Sequence, residues 1–212
     1  TFSNKAAAEL VDRLQRAGVK GASEIWAGTF HAFGLEFLRK YYQHFGVAQD
    51  VSVADKLTQL TLTAKALANV QLECYRRTDD PYEWLQPVLD TVLRVKEELV
   101  SIDDYLAKSL AVAVDDEQRA TFRDVAMVAR AYEGALAKAG MVDFVDLVAQ
   151  PAMAIADERA LYAEIADGYE HVLVDEFQDL TSAMLTLTSQ LTANASLWVV
   201  GDVRQAIYHW RG

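Results

Sequence analysis

The sequence is poor in cysteine and contains no long apolar run. Cys74 is the one cysteine among 212 residues, so the chain has no internal disulfide and no second thiolate for a metal site. No apolar stretch approaches the roughly 20 residues of a membrane-spanning helix, and no signal peptide opens the chain. These absences exclude a disulfide-stapled secreted domain, predict no membrane contact and favour a reduced, cytoplasmic setting.

Basic residues are also scarce. The chain has 20 Lys and Arg against 31 Asp and Glu, for a net charge of −11, which at first argues against a nucleic-acid partner. The charge is distributed unevenly along the chain: the net charge is +2 over residues 1–46, −14 over 47–180 and +1 over 181–212. A nucleic acid would therefore lie against the two end segments and not against the middle.

The apolar pattern predicts an α/β fold with an inserted all-α subdomain. Ser3 is a plausible N-cap for an alanine-rich helix, and Glu24–Thr29 reads as a short strand followed by an aromatic-rich helix. From about Val51 to Gly140 the apolar residues recur only at helical spacing. Within this segment Pro81 and Pro87 are expected to break or cap helices. We predict domain segments 1–50, 51–142 and 143–212.

The last segment contains two apolar strands that end in polar residues. His171–Val174 runs into Asp175 and Glu176, and Leu197–Val200 runs into Gly201-Asp202, with a helical pattern between them. A strand, a helix and a strand in this order predict a parallel pair, whose carboxyl edge is where open α/β sheets bind ligands.

Asp175 and Glu176 are the candidate catalytic residues of this edge. In nucleotide hydrolases such carboxylates hold Mg²⁺ and orient the attacking water. We expect Asp175 to reach Mg²⁺ through a water and Glu176 to polarise the water that attacks the γ-phosphate. The alternative is a helix-capping acid with a solvated neighbour.

Gln205 and the residues after it form a second group of candidates. The neutral amide of Gln205 suits contact with a phosphate oxygen, although an exposed loop glutamine is the alternative. Tyr208, Trp210 and Arg211 suit base stacking and phosphate contact, and core packing is the alternative for the two aromatics.

The amino-terminal segment offers weaker candidates. Thr29 and His31 stand where a strand passes into a helix, so a hydroxyl, backbone amides and an imidazole could hold a phosphate, or His31 could simply pack in the core. Phe2 alone reads as a hydrophobic staple. Asp143 and Asp146 are interpreted as helix-start acids and not as metal ligands.

Five segments together resemble the UvrD/Rep/PcrA family of superfamily-one DNA helicases. In chain order they are Thr1–Ala7, Thr29–Phe33, Val142–Leu147, Val174–Asp179 and Val200–Gly212. The resemblance implies a RecA-like (P-loop NTPase) parallel sheet interrupted by the helical insertion. It also implies ATP and Mg²⁺ as cofactors, with 3′→5′ translocation on single-stranded DNA and unwinding of fork DNA in repair or recombination, near the nucleoid.

The resemblance also implies roles for single residues. Asp175 would serve Mg²⁺, Glu176 would be the catalytic base and Gln205 would contact the γ-phosphate. The DNA-binding residues would be Phe2, Tyr208 and Trp210, which stack on bases, and Thr29, His31 and Arg211 along the DNA path. The acidic insertion would contact duplex, a protein partner or a second copy. A helicase–nuclease parent and a non-catalytic DNA- or protein-binding module on the same scaffold remain alternatives.

One element of the implied machinery is missing from the sequence. No glycine is followed by lysine, so the phosphate-binding loop G-x-x-x-x-G-K-[ST] does not occur. We therefore expect the 212 residues to be a piece of a longer helicase and to have no ATPase activity by themselves.

Overall fold

The computed structural model describes residues 1, 3–75 and 80–205, apart from the side chains of Pro81 and Tyr82. Along the chain these residues form α1 (Asn4–Arg16), α2 (Phe30–Lys40), α3 (Tyr42–Phe45), β1 (Ser52–Val53), α4 (Lys56–Ala66), α5 (Pro81–Glu97), α6 (Ile102–Val112), α7 (Asp116–Ala139), β2 (Met141–Val142), α8 (Asp146–Asp157), α9 (Arg159–Ala166), β3 (His171–Val174), α10 (Ser182–Leu191) and β4 (Ser196–Val199). Short 3₁₀ turns follow β3 at Phe177–Asp179 and β4 at Val203–Gln205.

The chain divides into two compact units. The split unit comprises Thr1–Lys40 and Leu147–Gly212, and the helical unit comprises Tyr41–Asp146. The predicted domain segments 1–50, 51–142 and 143–212 stay a prediction. No helix among the described residues has the length and apolarity needed to cross a membrane.

The split unit contains the predicted parallel strand pair. β3 pairs with β4 in register from His171 opposite Ser196 to Val174 opposite Val199. α10 connects the two strands, and its buried face includes Met184 and Leu187. The predicted strand–helix–strand arrangement is therefore confirmed for this part of the chain.

The helical unit is built around one apolar core. Leu60 of α4, Leu89 of α5 and Tyr132 of α7 lie within it, each at most 2% exposed. The two-residue strands β1 and β2 pair in parallel beside these helices. The predicted helical block is confirmed as mostly helical, and its capping acid Asp115 accepts a hydrogen bond from the Gln118 amide at the start of α7.

Two local predictions were wrong. Glu24–Thr29 forms no strand, because it has no ladder partner among the described residues, and the Gly28 carbonyl instead accepts a hydrogen bond from the Thr1 nitrogen. Pro81 begins α5 as expected, but Pro87 lies inside that helix without ending it. Burial of the flanking Leu85, Val88 and Leu89 stabilises the helix beyond the proline.

The described residues are mostly helical with two small parallel sheets. This composition is compatible with the predicted α/β class. The helix α8 begins where Asp143 and Asp146 predicted a helix start, and Pro151 is accommodated within it.

Candidate functional site

The acidic strand end lies at the edge of the β3–β4 sheet. Val174 is buried at 6% exposure, whereas Asp175 and Glu176 are exposed. Glu176 adopts a left-handed backbone conformation with φ of 49°, which non-glycine residues adopt infrequently. Both carboxylates therefore lie in solvent at the sheet edge.

Backbone hydrogen bonds hold the second strand end beside the first. The Val200 amide donates to the Val174 carbonyl at 2.9 Å, and the Phe177 amide donates to the Val200 carbonyl at 3.0 Å. The parallel pairing therefore continues beyond the strands themselves. It places the Asp175–Phe177 and Val200–Asp202 segments next to each other.

A path of hydrogen bonds, one of them from a backbone amide, connects Glu176 with Gln205. Gln178 Nε2 donates to Glu176 Oε2 at 2.7 Å, and the Asp202 amide donates to Gln178 Oε1 at 3.0 Å. Gln205 Nε2 in turn donates to Asp202 Oδ2 at 3.2 Å. The predicted base and the predicted phosphate-contacting amide thus lie at one edge of the sheet, and their chemical roles stay predictions.

Thr29 lies close to the same edge. The Thr1 nitrogen is 3.1 Å from the Gly28 carbonyl oxygen and 3.3 Å from Asp175 Oδ1, so the residue before Thr29 nearly reaches the acidic strand end. Thr29 caps α2, because its Oγ1 accepts a hydrogen bond from the Ala32 amide at 3.0 Å. His31 is half-buried in the first turn of that helix.

The remaining DNA-binding candidates cannot be placed. Phe2, Tyr208, Trp210 and Arg211 lie outside the described residues. Their predicted stacking and phosphate contacts stay predictions.

Asp175 fits the magnesium role that the sequence assigns to it. Its side chain is 47% exposed at the sheet edge. Mg²⁺ keeps several waters and needs only one or two carboxylates besides the substrate phosphates. The described residues hold no group of three or more His, Cys, Asp or Glu that could form an all-protein metal cage. Close by in sequence, the buried Asp179 Oδ1 has no hydrogen-bond partner, and a metal-bound water would satisfy such an acceptor.

The helical unit contains a buried ionic cluster that sequence reasoning missed. Asp143 and Asp146 accept hydrogen bonds from each other's amides at the start of α8, as expected of helix-start acids. In addition, Lys96 lies 2.7 Å from Asp146 and 2.5 Å from Asp143, and the Tyr132 hydroxyl donates to Asp143 at 2.8 Å. Lys96 lies one helical turn beyond the buried Val88 and Val92 of α5, and this spacing could have indicated that Lys96 is buried too.

Burial and charge act together on this cluster. Burial would lower the pKa of Lys96, but the carboxylates of Asp146 and Asp143 outweigh it and raise that pKa. Burial also raises the pKa of Asp146 despite its lysine partner, and burial with the charge of Asp143 raises the pKa of Tyr132. These groups anchor the 143–146 turn and leave no solvated base for chemistry.

Known proteins are similar to the chain over its whole length. Residues 1–212 match the model of the UvrD/REP helicase N-terminal domain. "ATP-dependent DNA helicase PcrA" of Leuconostoc citreum is 31% identical over 214 residues, covering 100% of this chain and 27% of that protein. PcrA of Bacillus subtilis (strain 168) is 29% identical with the same coverage, and "ATP-dependent DNA helicase Rep" of Escherichia coli (strain K12) is 29% identical over 30% of its length.

The chain spans less than a third of the length of these curated relatives, and the match extends over every residue of the chain. The resemblance predicted from the five segments is confirmed. The chain belongs to the UvrD/REP helicase N-terminal domain family.

Proposed function

We propose that these residues are the RecA-like motor segment of a longer ATP-dependent DNA helicase of the cytoplasm and nucleoid. That protein would couple ATP hydrolysis to 3′→5′ translocation on single-stranded DNA and to unwinding of fork DNA in repair or recombination. The observation that carries the proposal is the hydrogen-bonded path from Glu176 to Gln205 at the ends of two parallel strands. Relatives named ATP-dependent DNA helicases support it.

Each residue at the edge has a separate task in this proposal. Glu176, exposed beyond the sheet, accepts a proton from the attacking water. The Gln205 amide donates to an oxygen of the γ-phosphate. Asp175 would hold Mg²⁺ through a water, and the ion would supply neutralisation of the triphosphate charge.

The phosphate-binding loop must come from outside these 212 residues. β4 pairs with β3 alone within the part of the chain that the structure describes, and Leu197, Trp198 and Val199 are 43%, 60% and 49% exposed. An apolar strand left open on one edge is a site for a further strand. We propose that a strand of the longer protein, with the loop at its carboxyl end, pairs there.

DNA would follow the split unit. Thr29 and His31 would lie along its path, with Phe2, Tyr208 and Trp210 stacking on bases and Arg211 contacting phosphate.

The helical unit has 11 basic and 18 acidic residues, a net charge of −7. This charge disfavours broad phosphate contact and favours a protein partner or self-association for that unit.

Substitution of the proposed base tests the function. In the longer protein, Glu176→Gln should lower DNA-stimulated ATP turnover by about 100-fold or more while ATP and DNA affinities persist, because the amide cannot accept the proton. Glu170→Gln, at an exposed position before β3, is the matched control and should leave turnover unchanged. Unchanged turnover in Glu176→Gln would remove Glu176 from its role.

The 212-residue chain alone provides a second test. Without the lysine and amides of the phosphate loop, it should not hydrolyse ATP in the presence of single-stranded DNA. A phosphate-release assay of the purified chain is the measurement, and robust DNA-stimulated hydrolysis would contradict the proposal.

A further inference from the structure

We propose that Gln178 is a positioning residue that holds the catalytic carboxylate of Glu176 at a set distance from the segment Gly201–Gln205, here called the glutamine turn. The inference rests on the proposed function of Glu176 and Gln205, and it assigns to Gln178 the task of coupling them. Gln178 itself contacts neither water nor phosphate in this role.

The Gln178 amide uses both of its ends between the two strand ends. Its Nε2 donates to Glu176 Oε2 at 2.7 Å and its Oε1 accepts from the Asp202 amide at 3.0 Å. A side-chain amide is one of the few uncharged groups with a donor and an acceptor on the same carbon. A glutamate would keep the acceptor and lose the donor, whereas an alanine would lose both.

The glutamine turn is shaped to receive this amide. A Cβ at Gly201 would overlap Gln178 Oε1 and would lie 3.1 Å from the Phe177 nitrogen. Glycine at position 201 thus leaves the space through which the Gln178 side chain reaches the Asp202 amide.

Asp202, whose amide donates to Gln178, also binds Gln205 through its side chain. Asp202 Oδ1 accepts from the Arg204 amide at 3.0 Å, and Asp202 Oδ2 accepts from Gln205 Nε2 at 3.2 Å. A shift of the Asp202 backbone therefore moves Gln205 with it. Gln178 thereby sets the spacing between base and phosphate-contacting amide.

Glu176 needs such a support because of its backbone. Its φ of 49° is an unfavourable conformation for a side chain of this size, and such conformations persist only where the surroundings enforce them. The Gln178 hydrogen bond restrains the carboxylate on this strained residue. Without it, the carboxylate samples orientations away from the attacking water, which slows turnover more than it weakens substrate binding.

The test uses the longer protein with Gln178→Ala and Gln178→Glu. Both should lower kcat for DNA-stimulated ATP hydrolysis by about tenfold or more, with KM for ATP changed less than threefold, since the lost contact orients a reacting group. Hydrogen–deuterium exchange of the 200–205 peptide without nucleotide separates the two ends of the amide. Exchange should accelerate in Gln178→Ala and stay slow in Gln178→Glu, which keeps the acceptor for the Asp202 amide.

Gly201→Ala approaches the same contact from the other side. It should lower kcat to a similar degree, and adding it to Gln178→Ala should cost little more, because it displaces an amide that Gln178→Ala has already removed. Gln190→Ala is the matched control, since Gln190 Nε2 donates to the Ala152 carbonyl at 2.7 Å, inside the split unit and in no proposed site contact. This variant should keep kcat.

Two results would overturn the positioning role. One is wild-type kcat in both Gln178 variants, and the other is a rise in KM with unchanged kcat. Glu176→Gln distinguishes the two proposals: if it abolishes turnover while the Gln178 variants stay active, the positioning role alone fails. If Glu176→Gln itself stays active, the proposed function fails.

Discussion

Asp124 illustrates how much one residue can organise within the helical unit. Asp124 lies on α7 and is 0% exposed. Its two oxygens accept hydrogen bonds from three successive amides, those of Glu73, Cys74 and Tyr75, at 2.7 to 3.0 Å. Charge-assisted hydrogen bonds to backbone amides satisfy the buried carboxylate and attach the loop after α4 to α7.

Removal of this carboxylate should strongly destabilise the chain. Asp124→Ala leaves three amides without their acceptor, and we expect a loss of about 3 kcal/mol or more in the free energy of unfolding. Urea unfolding followed by circular dichroism measures it. Arg123→Gln is the control, because the neighbouring Arg123–Glu73 pair is exposed and should contribute little. An equal effect of both substitutions would contradict the role of Asp124.

At the scale of elements, α2 and α8 approach each other unusually closely in the split unit. The approach occurs at Gly34, where a Cβ would overlap the backbone carbonyl oxygen of Leu147. Because the obstacle is backbone and not the end of a flexible side chain, neither helix can accommodate a larger residue without moving. Gly34 is therefore required by helix packing, despite the lower helix propensity of glycine.

Substitution of two helical glycines should give opposite results. Gly34→Ala should destabilise the chain by about 3 kcal/mol through overpacking. Gly134→Ala in α7, where a Cβ would meet nothing within 4 Å, should stabilise it by about 1 kcal/mol through helix propensity. Thermal or urea unfolding of both variants is the measurement. Stabilisation by Gly34→Ala would show that the helices do not pack as described.

At the scale of the whole molecule, the β3–β4 sheet leaves apolar surface in solvent. Leu173 and Trp198 are opposite each other in the register and are 72% and 60% exposed, and Val200 and Val203 beyond them are 72% and 76% exposed. Contiguous apolar surface of this kind marks an interaction site or an aggregation liability. We therefore expect further parts of the longer protein to pack on this face, in addition to the strand proposed beside β4.

The isolated 212-residue chain should consequently self-associate. Leu173→Lys places a charge on the exposed sheet and should shift sedimentation towards the monomer. Leu57→Lys is the control, because Leu57 is 58% exposed on α4, in the helical unit. If both variants associate like the unaltered chain, the sheet is not the associating surface.

The local predictions succeeded where a few neighbouring residues decide the structure. Ser3 caps α1 as predicted, by accepting from the Ala6 amide at 3.1 Å, and Thr29, which was not predicted as a cap, caps α2 in the same way. Both bonds span three residues, so the spacing is visible in the sequence. The prediction of a strand at Glu24–Thr29 was wrong, because a segment becomes a strand only when another segment supplies its hydrogen bonds.

The sequence by itself determined the family, the helix starts and the two apolar strands that end in carboxylates, because each depends on residues close together in the chain. Only the tertiary structure decided which polar groups meet across long separations, such as Lys96 with Asp143 or Gln178 with Asp202. A buried charge or a side-chain amide is satisfied by whichever partner the packing of distant elements brings within hydrogen-bond distance. That partner cannot be identified from spacing along the chain.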